Sequence, residues 1–145
     1  MIKTLSGRQF PAAVIPLIDA AKNSIDIVVY AWVWYPSDPG ATCQLFNQAI
    51  IRAARRGVKI RAIINNTKTL QALQSQNIEA KALNTSKLVH AKLMIIDSEK
   101  VITGSHNYTQ FAFHINFELS LVLDGENVAK DFNVFFQNLW NLDKY

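Results

Sequence analysis

Residues 88–109 read LVHAKLMIIDSEKVITGSHNYT, and the fold follows from how this stretch is understood. Val89 to Ile96 is an aliphatic, β-branched run and is expected to form a buried strand. Side chains two apart on a strand share a face, so His90 and Lys92 point into the same space. Asp97 opens the polar turn DSEK, and Val101-Ile102-Thr103 returns as a second strand. That strand ends at Gly104-Ser105-His106-Asn107, close to where the first carries His90 and Lys92. One hairpin therefore gathers an imidazole, an ammonium, a hydroxyl and an amide. Asp97 lies an odd number of residues from Lys92, which reverses the face of a regular strand. At the head of a turn its expected role is structural rather than chemical.

Downstream, Ile115 to Leu123 alternates and is expected to be a strand. Ile115, Phe117, Leu119, Leu121 and Leu123 share one face; Asn116, Glu118 and Ser120 share the other. Glu118 would need a partner if buried. His90 is the attractive one, because a carboxylate on one ring nitrogen fixes the tautomer and stabilises the imidazolium; a solvated face is the alternative. Asn127 to Trp140 closes the chain as an amphipathic helix, with Val128, Phe132, Phe135, Phe136, Leu139 and Trp140 toward the core.

Upstream, Pro11 to Lys22 reads as a helix with Pro16 awkwardly placed, demanding a later start or a kink. Ser24 to Val33 reads as a central strand running into Trp32-Val33-Trp34-Tyr35 and the loop Pro36 to Gly40. Those aromatics sit at a strand end, where α/β sheets place their sites, but core or interface packing is the preferred reading over stacking on a ligand. Ala41 to Arg56 is a helix ended by Gly57. Its Arg52, Arg55 and Arg56 complement the helix dipole; a phosphate-backbone patch is the functional alternative. Val58 to Ile64 is a strand, Thr67 to Gln76 a short helix capped by Thr67, Ile78 to Leu83 an edge strand, and Tyr108 to His114 a turn or short helix. The expected fold class is α/β: a mixed sheet with helices on both faces, one domain spanning residues 1–145.

Half of the residues are hydrophobic, enough for a core, and the net charge of +4 mildly favours an anionic partner such as nucleic acid or a membrane surface. The sole cysteine, Cys43, forbids an internal disulfide and is expected to be a small buried residue. No apolar run approaches a membrane span, and the first ten residues lack a secretory core. A cytoplasmic location is therefore expected, or a periplasmic or secreted one if a leader was removed.

Imidazole, ammonium, amide and hydroxyl together suit a phosphodiester: cation and amide hold phosphate oxygens while the imidazole attacks phosphorus or moves a proton. Gly104-Ser105 is no serine-hydrolase elbow, since the second glycine is missing. The full spacing is His-x-Lys, four residues, Asp, six residues, Gly-Ser-x-Asn, filled by His90, Lys92, Asp97, Gly104, Ser105 and Asn107. It resembles the signature of the phospholipase D superfamily, and most closely its small single-motif members, which include bacterial endonucleases. The resemblance implies two histidines, one forming a phosphohistidine and the other protonating the leaving oxygen. It also implies that a downstream carboxylate, here Glu118, orients an imidazole. With one motif per chain, the second imidazole is expected from a second copy, giving a homodimer with a composite site. His106, at the variable position, is expected to be a satisfied or solvent-facing histidine. No cofactor or metal is implied, because the acidic residues are scattered. The expected function is a metal-independent nuclease on DNA or RNA. The alternatives are a phospholipase D-type hydrolase of cardiolipin or a similar lipid, and a non-catalytic nucleic-acid-binding dimer.

Overall fold

In a computed structural model, which describes residues 2–142, the chain runs β1 (Ile2–Ser6), α1 (Gln9–Asp19), β2 (Ser24–Val28), α2 (Thr42–Arg55), β3 (Lys59–Ile63), α3 (Thr67–Gln74), β4 (Glu79–Lys81), β5 (Leu93–Ile96), β6 (Lys100–Gly104), α4 (Gln110–His114), β7 (Leu119–Asp124) and α5 (Glu126–Trp140). The strands form one seven-stranded sheet in the order β1-β7-β6-β5-β2-β3-β4. β2, β3 and β4 pair in parallel, joined by helical crossovers, while all other pairs are antiparallel. The expected α/β fold with a mixed sheet is what forms.

Strand parity divides the core. Ile25, Ile27, Met94, Ile96 and Ile102 pack with Phe10, Val14 and Ile18 of α1 and with Phe46 and Ile50 of α2. Val28, Ile63, Leu93, Ile95 and Val101 face the other way, onto Ala129 and Phe136 of α5. The sheet is thus buried on both faces, which is why its central strands read as continuous apolar runs.

Several elements differ from the sequence reading. The first strand, β1, was not expected; only Leu5 in it is buried, so it carries no alternation to read. α1 runs straight through Pro16. The proline removes the donor to Ala12, and both residues are exposed, so water can serve that carbonyl. α3 is capped by Asn66 rather than Thr67, its side chain accepting from the backbone N–H of Lys68 and Thr69. In α5, Ala129 and Phe136 are buried, but Val128 and Phe135 lie outside the core stripe. β5 begins at Leu93, so His90 and Lys92 precede the ladder. β7 begins at Leu119; Ile115 and Asn116 instead fold back on the Phe111 carbonyl at the end of α4.

The arginines of α2 work inside the molecule. Arg52 makes a two-pronged pair with Asp19 at 3.1 Å, and Arg56 donates to the carbonyls of Ile18 and Ala21 at 2.9 and 3.1 Å. Arg52 and Arg56 bind the end of α1, which accounts for these two without a phosphate patch, whereas Arg55 is exposed and reaches Gln76 Oε1 at 3.5 Å. Trp32 is buried, its indole N–H donating to Asn47 at 2.6 Å, so it is core. Cys43 is buried too, and desolvation pushes its thiol up to about 12.

Candidate active site

Sheet register places the motif. Val28 stands opposite Leu93, and Gly104 opposite Ser120. The end of β2, the approach to β5, the end of β6 and the start of β7 therefore meet along one rim of the sheet. His90, Lys92, Ser105, Asn107 and Glu118 lie on that rim. Asp97 lies at the other end. Asp97 and Ser98 adopt φ of 55° and 54°, the two left-handed residues of a tight hairpin turn closed by Glu99 N–H to Ile96 C=O at 3.0 Å. The Asp97 carboxylate accepts from the backbone N–H of Asn23 at 2.6 Å, Ser24 at 3.0 Å and Lys22 at 3.0 Å. Burial raises its pKa, but the bonds from Asn23, Ser24 and Lys22, with the Lys22 charge, outweigh it and hold the group below its usual value. Asp97 ties the α1–β2 connection to the hairpin, the structural role expected of it.

At the rim that carries the motif, His90 is exposed, and its Nδ1 and Nε2 lie 3.2 and 3.4 Å from Lys92 Nζ. Imidazole and ammonium share one space as expected, although no ladder holds them. The backbone there is pinned by Thr103 Oγ1, which donates to the Lys92 carbonyl at 2.8 Å. The Asn107 carbonyl oxygen accepts from Ala31 N–H at 3.0 Å, leaving its amide nitrogen as the group able to donate.

Gly104 explains the glycine of the motif. At φ +154°, a Cβ there would sit 2.4 Å from Ser120 Cα and 2.5 Å from the Leu119 carbonyl oxygen, so β7 passes where no side chain fits. Next to it, the Ser105 hydroxyl donates to Glu118 Oε1 at 2.7 Å and accepts from Leu119 N–H at 3.0 Å. The other Glu118 oxygen accepts from Asn116 Nδ2 at 3.1 Å. This corrects the expected Glu118–His90 pair: the carboxylate is bound to Ser105 and Asn116. The Ser105 proton is thereby directed to Glu118, which braces the loop.

His106 is fully buried, stacked on Phe10 at 4.4 Å, with Nε2 3.0 Å from the Gly7 carbonyl and Nδ1 2.8 Å from Ser120 Oγ. A carbonyl only accepts, so Nε2 carries the proton and Nδ1 accepts from the serine. Desolvation lowers its pKa, against the Gly7 bond and the Glu118 charge. It is a satisfied core histidine.

Two features escaped the sequence reading. Tyr30, just beyond β2, places its ring 5.0 Å from that of His90, and Lys92 Nζ lies 5.7 Å from the Tyr30 centroid. After it, the segment 31–33 runs beside Tyr108, with Tyr108 N–H donating to the Ala31 carbonyl and Val33 N–H to the Tyr108 carbonyl, both at 3.0 Å. This segment stitches the two halves of the motif together. Its only signal was position, at the rim end of a central strand.

A family model described as "Cardiolipin synthase, PLD-like domain" matches residues 14–140. A phospholipase D of Rickettsia conorii is 31% identical over 121 residues, covering 79% of this chain and 56% of that protein. A mitochondrial cardiolipin hydrolase of Xenopus tropicalis is 25% identical over 130 residues, covering 86% of this chain and 58% of that one. The chain thus spans just over half the length of these curated relatives. Among solved structures, Nuc, a phospholipase D family member from Salmonella typhimurium, superposes with a TM-score of 0.80 at 24% identity, covering 97% of this chain and 95% of its own, a likeness of fold. Motif, topology and family model agree, and the chain belongs to the PLD-like family of the phospholipase D superfamily.

Proposed function

We propose that this protein is a phosphodiesterase that works without metal through a phosphohistidine, and that its substrate is DNA or RNA. The observation that carries this reading is the His90–Lys92 pair, an exposed imidazole within 3.2 Å of a fixed cation on the same rim as the Asn107 amide. Lys92 and Asn107 bind the non-bridging oxygens of the phosphodiester, most strongly as charge builds in the five-coordinate transition state. His90 attacks phosphorus, and the P–O bond to the leaving group breaks. An imidazolium from a second copy supplies that oxygen's proton. The same second imidazole, now neutral, takes a proton from water, which attacks the phosphohistidine and frees His90. Among the described residues no three metal donors cluster.

A second copy is our proposed source of the other imidazole: among the described residues, His106 is bonded within the core and His114 carries no motif. The rim offers a contact surface. Phe111, Ile115, Phe117 and Leu119 are 63%, 66%, 107% and 56% exposed, and Phe117 and Leu119 line a cleft with Ser105 and Glu118. The stretch 108–124 contains no Lys or Arg, so this patch suits an apolar partner face better than a phosphate backbone. We therefore propose a homodimer whose two His90 residues share one phosphorus. The net charge of +4 and the resemblance of the motif to that of the single-motif superfamily members, which include endonucleases, support nucleic acid. Relatives named phospholipase D and cardiolipin hydrolase support cardiolipin as the second reading.

The deciding experiment offers plasmid DNA, RNA and cardiolipin vesicles to the wild type and to His90→Ala, with and without EDTA. Nucleic acid is cleaved by wild type in EDTA and not by His90→Ala, which still binds it. Cleavage of cardiolipin alone moves the substrate to lipid. Binding without cleavage by either protein makes the chain a nucleic-acid-binding dimer, and loss of activity in EDTA with rescue by magnesium refutes metal independence.

A further inference from the structure

We infer that Tyr30 is a positioning residue that keeps His90 oriented at the moment Lys92 lets go of it; this rests on His90 being the nucleophile proposed above. Among the described residues, the recorded polar or ring contacts of the His90 side chain are two: the Lys92 ammonium at 3.2 and 3.4 Å and the Tyr30 ring at 5.0 Å, tilted by 51°. Glu118, the carboxylate expected to orient His90, is bound to Ser105 and Asn116 instead.

The Lys92 contact cannot persist through the reaction. An ammonium 3.2 Å from one ring nitrogen and 3.4 Å from the other lies off both in-plane lone pairs, so it rests against the ring rather than holding one nitrogen. Lys92 is also the cation placed to take the phosphate oxygens. When substrate arrives, Lys92 turns to the phosphate and the imidazole loses that contact. What remains against it is the face of Tyr30. In-line attack tolerates little rotation of the nucleophile, so that face keeps the ring near its attacking orientation.

Tyr30 is itself well held. Val29 N–H donates to the Ile63 carbonyl at 3.2 Å, and Ala31 N–H donates to Asn107 Oδ1 at 3.0 Å. Backbone contacts on both sides therefore fix its Cα relative to the rim. The ring also offers its π-face to Lys92 Nζ at 5.7 Å, giving the ammonium a resting place beside the imidazole. The Tyr30 hydroxyl makes no hydrogen bond among the described residues, so the function lies in the ring.

The test compares the full-length wild type, Tyr30→Phe, Tyr30→Leu and His90→Ala on bis(4-nitrophenyl) phosphate, with kcat and KM measured separately. The His90 ring-proton shifts are followed by NMR as a readout independent of turnover. Tyr30→Phe is expected to match wild type. Tyr30→Leu is expected to lose kcat by about 10- to 100-fold with KM within about twofold, since a misoriented reacting group costs rate rather than binding. The ring-current shift of His90 should vanish in Tyr30→Leu and survive in Tyr30→Phe. Tyr30 is 40% exposed, so the leucine variant should fold, and an unchanged NMR spectrum away from the rim verifies it. Wild-type kcat in Tyr30→Leu overturns the inference, as does a loss in Tyr30→Phe equal to that in Tyr30→Leu, which would move the role to the hydroxyl. Turnover retained by His90→Ala fails the parent reading instead.

Discussion

Replacing Gly104 by alanine adds one methyl group at the tightest point of the sheet. That carbon would stand 2.4 Å from Ser120 Cα and 2.5 Å from both the Leu119 carbonyl oxygen and Ser120 Oγ, where 3.4–4 Å is ordinary contact. Two of the three obstacles are backbone, so β7 must move away from β6 by about 1 Å to restore normal contact. Overpacking of this kind costs about 1–3 kcal/mol, and holding alanine at the glycine-favoured φ adds about 1–3 more; about 3 kcal/mol, in the lower half of the combined range, is expected when the strand relaxes in part. For a chain of this size that corresponds to a fall in Tm of about 10 °C. With an m-value near 2 kcal/mol/M, the urea midpoint should fall by about 1.5 M. Thermal and urea unfolding followed by circular dichroism measure both. The displacement also reaches the rim, because Ser105 N–H donates to the Leu119 carbonyl and Ser105 Oγ accepts from Leu119 N–H, each at 3.0 Å. Activity assayed well below the variant's Tm should therefore fall as well. An alanine variant melting within about 2 °C of wild type would show that β7 does not press on Gly104 as described.

Asp97 gives a pH signature. Its folded pKa is depressed, so its stabilisation is fully present above the unfolded carboxyl value of about 3.9 and is lost as pH falls through the lower folded value. Asp97→Asn should cost about 1 kcal/mol at neutral pH, the low end for charge-assisted bonds because the site is open to water, and the gap to wild type should close below about pH 4. Urea midpoints across pH 3–7 read this directly, and a gap that stays constant to low pH removes the charge from the explanation. Phe117→Asp places a carboxylate in the exposed apolar patch and should convert the proposed dimer to monomer by light scattering while leaving Tm within a few degrees. A variant that stays dimeric places the interface elsewhere.

The residues of the candidate site were legible because their fixed spacing is a one-dimensional fact, although His90 and Lys92 lie before the β5 ladder that strand parity assumes. His90 beside Lys92, and Ser105 and Asn107 near them, could be read from a hairpin alone. The partner of Glu118 could not. Its choice of Ser105 over His90 depends on where Ile115 and Asn116 turn back onto Phe111, and that turn breaks the alternation that made 115–123 look like one continuous strand. β1 was illegible for a related reason: a single buried residue, Leu5, gives no period, and its place is set by pairing with β7, which is remote in sequence. Tyr30 carries no signal of its own in the sequence, standing just before a run of further aromatics of which Trp32 is core.

The length of the sheet separates two kinds of work. The clasp formed by Asp97 on the amides of Lys22, Asn23 and Ser24 sits at the end opposite the imidazole. An engineer seeking a hardier protein therefore has a region where residues can be exchanged for rigidity without touching the candidate site. Conversely, a substitution at the clasp that slows turnover reports on the fraction of molecules still folded, and raising the temperature should make its defect grow while one at the rim stays comparatively flat.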